Sequence, residues 1–113
     1  MHELSLALEV IELAQREADK NGVSTIQEIL IAVGDLSGVE GDIFQSALEM
    51  VVKDTILEGA KLNINRIPGK GKCNTCQQEF IMNNRLDICP GCQSFPSEIT
   101  GGQEFRVLSL IAE

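Results

Sequence analysis

Apolar residues at Leu4, Ala7, Leu8, Ile11, Ala14 and Ala18 recur at helical spacing, with Glu12, Gln15, Arg16 and Asp19 between them. That period puts one apolar stripe on an amphipathic helix over residues 4–20, and Asn21-Gly22 supplies its stop. The pattern then changes. Residues 25–33 are rich in β-branched and aliphatic side chains up to Gly34-Asp35, which suits a strand covered on both faces near its end. After a loop over residues 34–41, Ile43, Phe44, Ala47, Met50 and Val51 return to helical spacing, and this second helix is expected to close near Glu58-Gly59. Leu62, Ile64 and Ile67 alternate approximately with Asn63, Asn65 and Arg66, predicting a strand that Pro68-Gly69 terminates.

From residue 69 to residue 99 this periodicity fades. The stretch holds every cysteine and two of the three prolines but few patterned apolar residues, so it can scarcely order without help. Within it, Gly69-Lys70-Gly71-Lys72 resembles a phosphate-binding loop but has Cys73 where Ser or Thr is required and Arg66 where Gly is required; it reads as a linker. Residues 103–111 read again as a strand, with Phe105 and Val107 on one face and Leu108 and Leu110 on the other. Nothing between residues 69 and 99 is long enough to pair with it. The expected architecture is therefore α+β: a small mixed sheet with two helices, built from residues 1–68 and 100–113, and an inserted module over residues 69–99.

The cysteines give the insertion its chemistry. Cys73, Cys76, Cys89 and Cys92 form two Cys-x-x-Cys pairs separated by 12 residues and are all the cysteines present. A two-residue gap lets the backbone turn back so that both sulfurs of a pair reach one ion, and two such knuckles make the closed tetrahedron of structural Zn²⁺. Two disulfides or a pair of redox dithiols are the competing readings of the same residues, and a cytosolic setting disfavours cross-links. A closed site has no open position for substrate. The zinc is expected to hold the chain together, and function has to be sought elsewhere.

Composition narrows that search. The 113 residues carry a formal charge of −8, and four thiolates on one Zn²⁺ make it more negative still, so the chain repels phosphate backbones. The cysteine module itself sets Lys70, Lys72 and Arg85 against Glu79, Asp87 and Glu98, lacking the basic footprint that a nucleic-acid-binding ribbon needs. No basic cluster or long apolar run opens the chain, and the longest such run, residues 29–33, is five residues. The expectations are no nucleic acid, no signal peptide, no membrane span and a cytoplasmic location. With the thiols committed to metal and His2 the single histidine, no nucleophile-base pair is available, and an enzyme is not expected.

His2 is the second candidate. From position alone it is an ordinary residue near a chain start. Its chemistry points the other way: an imidazole beside free backbone nitrogens can close chelate rings on one cation, and Glu3 adds a carboxylate. Nitrogen donors in a plane suit Ni²⁺ or Cu²⁺ better than Mg²⁺, Ca²⁺ or Zn²⁺. The residues alone lead to a nitrogen-rich metal site and no further. A zinc-ribbon adaptor that binds only protein partners, with His2 incidental, fits them too.

The opening Met1-His2-Glu3-Leu4-Ser5-Leu6, the loop Val33-Gly34-Asp35-Leu36-Ser37-Gly38-Val39, the stretch Glu58-Gly59-Ala60-Lys61-Leu62, both cysteine pairs, and the tail from Ile99-Thr100-Gly101-Gly102 through Arg106-Val107 resemble the HypA/HybF family of nickel metallochaperones. The resemblance covers essentially the whole chain. It implies a carrier that delivers Ni²⁺ to the [NiFe]-hydrogenase large subunit during maturation with a HypB-type GTPase, and in some relatives serves urease maturation proteins as well. It also implies nickel as cargo at His2 and Glu3 and structural zinc at Cys73, Cys76, Cys89 and Cys92. An acidic residue before the second helix joins the nickel site in some members; here that position is Glu40. Cys92-Gln93-Ser94 departs from the family's common Cys-Gly-Ser, which is expected to alter the turn after the site. The expected oligomeric state is a monomer or a homodimer.

Overall fold

The computed structural model describes residues 2–84, 86–94 and 98–112; Met1 of the opening motif, Arg85 of the cysteine module, residues 95–97 and Glu113 lie outside them. Helix α1 runs from His2 to Asn21, so the helix predicted from residue 4 already includes both nickel candidates. Ala7, Val10, Ala14 and Ala18 are its buried residues. The stop is a Schellman turn: Gly22 takes φ +68°, Val23 N–H donates to Ala18 O and Gly22 N–H to Asp19 O.

Strand β1, Ile26–Gly34, is the centre of a three-stranded mixed sheet in the order β2-β1-β6. It pairs in parallel with β2, Lys61–Ile67, and antiparallel with β6, Phe105–Ala112. The last four residues of β1 are all buried, which is the two-sided cover expected there. Ile29, Ile31 and Val33 meet Ala7, Val10, Ala14, Phe44, Leu48 and Leu57 in the main core. Phe44 and Phe105 pack edge to face with ring centroids 5.0 Å apart.

Two expectations need correction in this sheet. Strict alternation put Leu110 with Leu108, away from Phe105 and Val107. In the ladder, Leu30 pairs with Ser109 but Ile31 pairs with Val107. Leu108 is thus the extra residue of a β-bulge, which rotates Leu110 onto the core face and leaves Leu108 exposed. The second correction is the length of helix α2, Gly41–Val51, which ends well before Glu58-Gly59. Thr55 Oγ1 donates to Val52 O and Asp54 takes φ +65°. These turns fold the chain back so that Leu57 becomes fully buried, a position that a continuing helix stripe did not require.

The remaining strands form a separate antiparallel sheet, ordered β4-β3-β5: β3 is Gly69–Lys72, β4 Glu79–Met82 and β5 Glu98–Gly101. The supposed linker is therefore this sheet's central strand. Its glycines permit close approach, since a Cβ on Gly69 would run into the Met82 carbonyl and the Leu36 side chain. Around them lies a small second core of Leu36, Phe80, Met82, Cys73 and Cys89, with Ile99 packed against it. Leu36 comes from the loop after β1, so the first sheet lends this core one of its anchors.

Candidate metal centre

Each cysteine pair sits in a knuckle with the same backbone pattern. Cys73 N–H donates to Gln78 O and Gln77 N–H to Cys73 O; Cys89 N–H donates to Ser94 O and Gln93 N–H to Cys89 O. The turn after each pair requires a left-handed residue, and Gln77 and Gln93 fill it at φ +65° and +63°. Cys73 and Cys89 are buried, Cys76 and Cys92 face outward, and all four are free.

Their sulfurs all lie within 4.8 Å of one another. Across the knuckles, Cys73 Sγ is 3.3 Å from Cys92 Sγ and Cys76 Sγ is 3.6 Å from Cys89 Sγ. These separations are too long for disulfides and lie a little under the edge of about 3.8 Å that follows from a tetrahedron with Zn–S of about 2.3 Å. The cluster's electrostatics point to a cation. Hydrogen bonds from the Ser94 side chain and backbone, reinforced by Cys73, pull the Cys92 thiol down to about 6. The Cys92 backbone N–H, followed by that of Gly91, lowers Cys89. At Cys76 the Gln78 backbone favours the thiolate, yet the neighbouring thiols and desolvation together push it up to about 12. Proton sharing of this kind is how crowded thiols avoid mutual repulsion; a divalent cation makes all four thiolates favourable at once. Four sulfur donors in a closed tetrahedron fit structural Zn²⁺.

The departure at Gln93 has a measurable consequence. A side chain held in the left-handed region costs about 1–2 kcal/mol, partly offset by the entropy that glycine would lose on folding. Gln93→Gly is expected to stabilise the module by up to about 1 kcal/mol and to slow zinc loss to a chelator. The rate of zinc transfer to a colorimetric chelator checks this, and an unchanged or faster rate contradicts it.

Apart from the cysteines, His2 is exposed on the first turn of α1 and Glu3 follows it. Backbone nitrogens in a helix's first turn have no carbonyl partner within the helix, which leaves them accessible beside the imidazole. Glu3 Oε2 accepts from the Glu40 backbone N–H at 3.1 Å. That bond is the main reason the Glu3 carboxyl titrates below its ordinary value, followed by a hydrogen bond from its own backbone N–H, with His2 a lesser cause. Because the folded pKa is depressed, this small stabilisation is present above the ordinary carboxylate value and is lost as pH falls through the lowered one. Glu40 itself is the N-cap of α2, its side chain accepting from Asp42 N–H.

The structure thus brings Glu3 and Glu40 together, as well as the four cysteines with one another. Sequence reasoning missed what surrounds Glu40. Arg66 reaches it from β2, and a polar cleft of about 290 Å³ is lined by Asp35, Glu40, Arg66 and, from beyond β4, Asn83. No spacing in the chain signals that grouping.

The family described as hydrogenase/urease nickel incorporation, metallochaperone, HypA matches residues 1–112. The chain belongs to that family. It is 37% identical to the hydrogenase maturation factor HypA of Geobacter metallireducens over 113 residues, covering both proteins completely. It is 39% identical to the HypA of Parabacteroides distasonis over 111 residues, covering 98% of this chain and 96% of that one. In three dimensions it resembles the solution structure of the Ni metallochaperone HypA from Helicobacter pylori, with a TM-score of 0.65 and 28% identity, covering 97% of this chain and 96% of the other. The family resemblance read from the opening motif, the loop after β1 and the cysteine pairs is upheld, as is an α+β fold with a four-cysteine centre.

Proposed function

We propose that this protein is a nickel carrier for [NiFe]-hydrogenase maturation. His2 and Glu3 bind Ni²⁺ as cargo, and Cys73, Cys76, Cys89 and Cys92 hold structural Zn²⁺. The observation that carries this reading is the family match along residues 1–112, together with the anchoring of Glu3, the residue after His2, to Glu40. Its acceptor is the hydrogenase large subunit, reached with a HypB-type GTPase, and urease maturation proteins are further candidates. The protein itself performs no catalysis and works in the cytoplasm. Among the described residues no helix is long and apolar enough to cross a membrane, in keeping with that location.

The arrangement suits transfer. A site at the first turn of a helix presents its ligands outward, so an acceptor can displace them one at a time. The four-cysteine centre, its coordination filled by its own four ligands, serves a fixed structure. Exposed Ile81, Leu86 and Ile88 on the second part support a role for it as a protein-docking surface.

Isothermal titration of the untagged protein with Ni²⁺ tests this reading. His2→Ala is expected to lower nickel affinity by about 100-fold or more, since loss of a ligand exceeds the ~10- to 100-fold typical of second-shell losses. Zinc content and helical signal should not change. Glu3→Gln removes one carboxylate and leaves every nitrogen, so it is expected to have the smaller effect. Binding should also weaken on acidification, because only a neutral imidazole coordinates metal. Equal nickel affinity in wild type and His2→Ala would favour the protein-adaptor reading instead.

A further inference from the structure

Strand β2 sends Arg66 to the same face as Leu62 and Ile64, because Val33 and Arg66 are partners in the parallel ladder. Its guanidinium ends at the N-terminus of α2, 2.9 Å from Asp42 Oδ1 and 3.8 Å from Glu40 Oε1. It lies over Gly41, the first residue of that helix: a Cβ there would stand 2.7 Å from one terminal guanidinium nitrogen and collide with Nε. A cation is unfavourable at this end of a helix, where unpaired N–H groups create positive potential. Glu40 and Asp42 hold it there. The same Glu40 gives its backbone N–H to Glu3, so the ion-paired cluster directly adjoins one proposed nickel ligand.

We propose that Arg66 tunes nickel release: its guanidinium engages the carboxylates of Glu40 and Asp42 and so withholds their charge from a divalent cation held at His2 and Glu3. The inference rests on the nickel site proposed above. Arg66 touches no metal and acts through Glu40 and Asp42. Without its charge, those two carboxylates add their attraction to the cation, and Glu40 is free to turn toward it. A carrier so altered binds its cargo more tightly and surrenders it more slowly. Gly41 is part of the device, since any side chain there would displace the fork.

Four untagged full-length proteins decide the matter: wild type, Arg66→Gln, Gly41→Ala and His2→Ala. Each is titrated with Ni²⁺ and then followed for nickel loss to a colorimetric chelator, at low and high ionic strength. Removing one unit charge from the cluster that adjoins a doubly charged ion at the surface is expected to raise affinity and slow release by up to about tenfold at low salt. The gap should narrow as salt screens the charges, which a purely structural effect would not do. Gly41→Ala keeps every charge but pushes the guanidinium aside, and should shift both quantities in the same direction by a smaller factor. It also decides the question if circular dichroism shows Arg66→Gln unfolded. If Arg66→Gln or, in its place, Gly41→Ala matches wild type while His2→Ala weakens binding, the proposal is wrong and the nickel site stands. A salt-independent gain rejects the electrostatic account. If His2→Ala binds nickel like wild type, the site and the proposal fall together.

Discussion

Replacing Cys89 with serine is expected to strip the protein of zinc and dissolve the second sheet while leaving both helices in place. Cys89 is fully buried, and its backbone anchors the second knuckle through Ser94 and Gln93. Besides the cysteines, the core it belongs to has, among the described residues, only Leu36, Phe80 and Met82 as buried members. A core of that size cannot offset the entropy of ordering three strands. A structural zinc site contributes on the order of 10 kcal/mol or more, so the metal is the dominant stabilising term of this part. The buried residues of the helices lie instead in the main core, among Ala14, Ile29, Phe44 and Leu48, and do not depend on it.

Elemental analysis should find about one zinc per chain in the wild type and close to none in Cys89→Ser. Amide exchange in β3, β4 and β5 should accelerate, whereas the far-ultraviolet helix signal should persist. The loop after β1 is expected to loosen as well, because Leu36 loses its partners. Complete loss of helix on zinc removal would mean that one cooperative unit spans both sheets, and separate modules would then be the wrong description.

What could be read from the chain beforehand follows from the range of the forces involved. The helical period of α1, its Asn21-Gly22 stop and the parallel-like burial of β1 are local patterns, and the structure has them, although the buried face of α1 takes in Val10 and leaves Leu4 and Leu8 of the expected stripe exposed. The cysteine cluster was legible for a related reason, since two-residue gaps carry their geometry with them. The misreadings occur where distant segments decide. Leu108 is bulged out only because β6 must match β1, and the end of α2 is set by the need to bury Leu57. Gly69–Lys72 has the composition of a linker, yet becomes a central strand because Leu36 and Met82 need its bare backbone. Arg66 looked like an ordinary polar position in an alternating strand. Its meeting with Glu40 and Asp42 spans more than twenty residues of sequence, and no periodicity reports such an encounter.

Gly102→Ala is expected to cost about 3 kcal/mol or more, a substantial share of the 5–15 kcal/mol that ordinarily holds a domain folded. Gly102 stands where the two sheets meet. Its carbonyl accepts from Leu36 N–H at 2.7 Å, and the neighbouring Glu104 carbonyl accepts from Gly34 N–H at 2.7 Å. A Cβ on Gly102 would lie 2.5 Å from Gly69 Cα and 2.7 Å from the Pro68 carbonyl oxygen. These are backbone atoms of the strand junction, so no side-chain rotation relieves the clash. The residue also takes φ +88°, where a side chain costs about 1–2 kcal/mol, and overpacking adds about 1–3 kcal/mol. Gly38 supplies the control: it has a similar φ of +84°, but nothing lies within 4 Å of its would-be Cβ. Gly38→Ala should therefore carry the backbone cost alone. Denaturant unfolding of the zinc-loaded proteins should place Gly102→Ala well below Gly38→Ala in midpoint, the difference measuring the jammed junction. Equal losses would show that the strands can part to admit a methyl group, and that the close approach of Gly102 to Gly69 is not what fixes one sheet against the other.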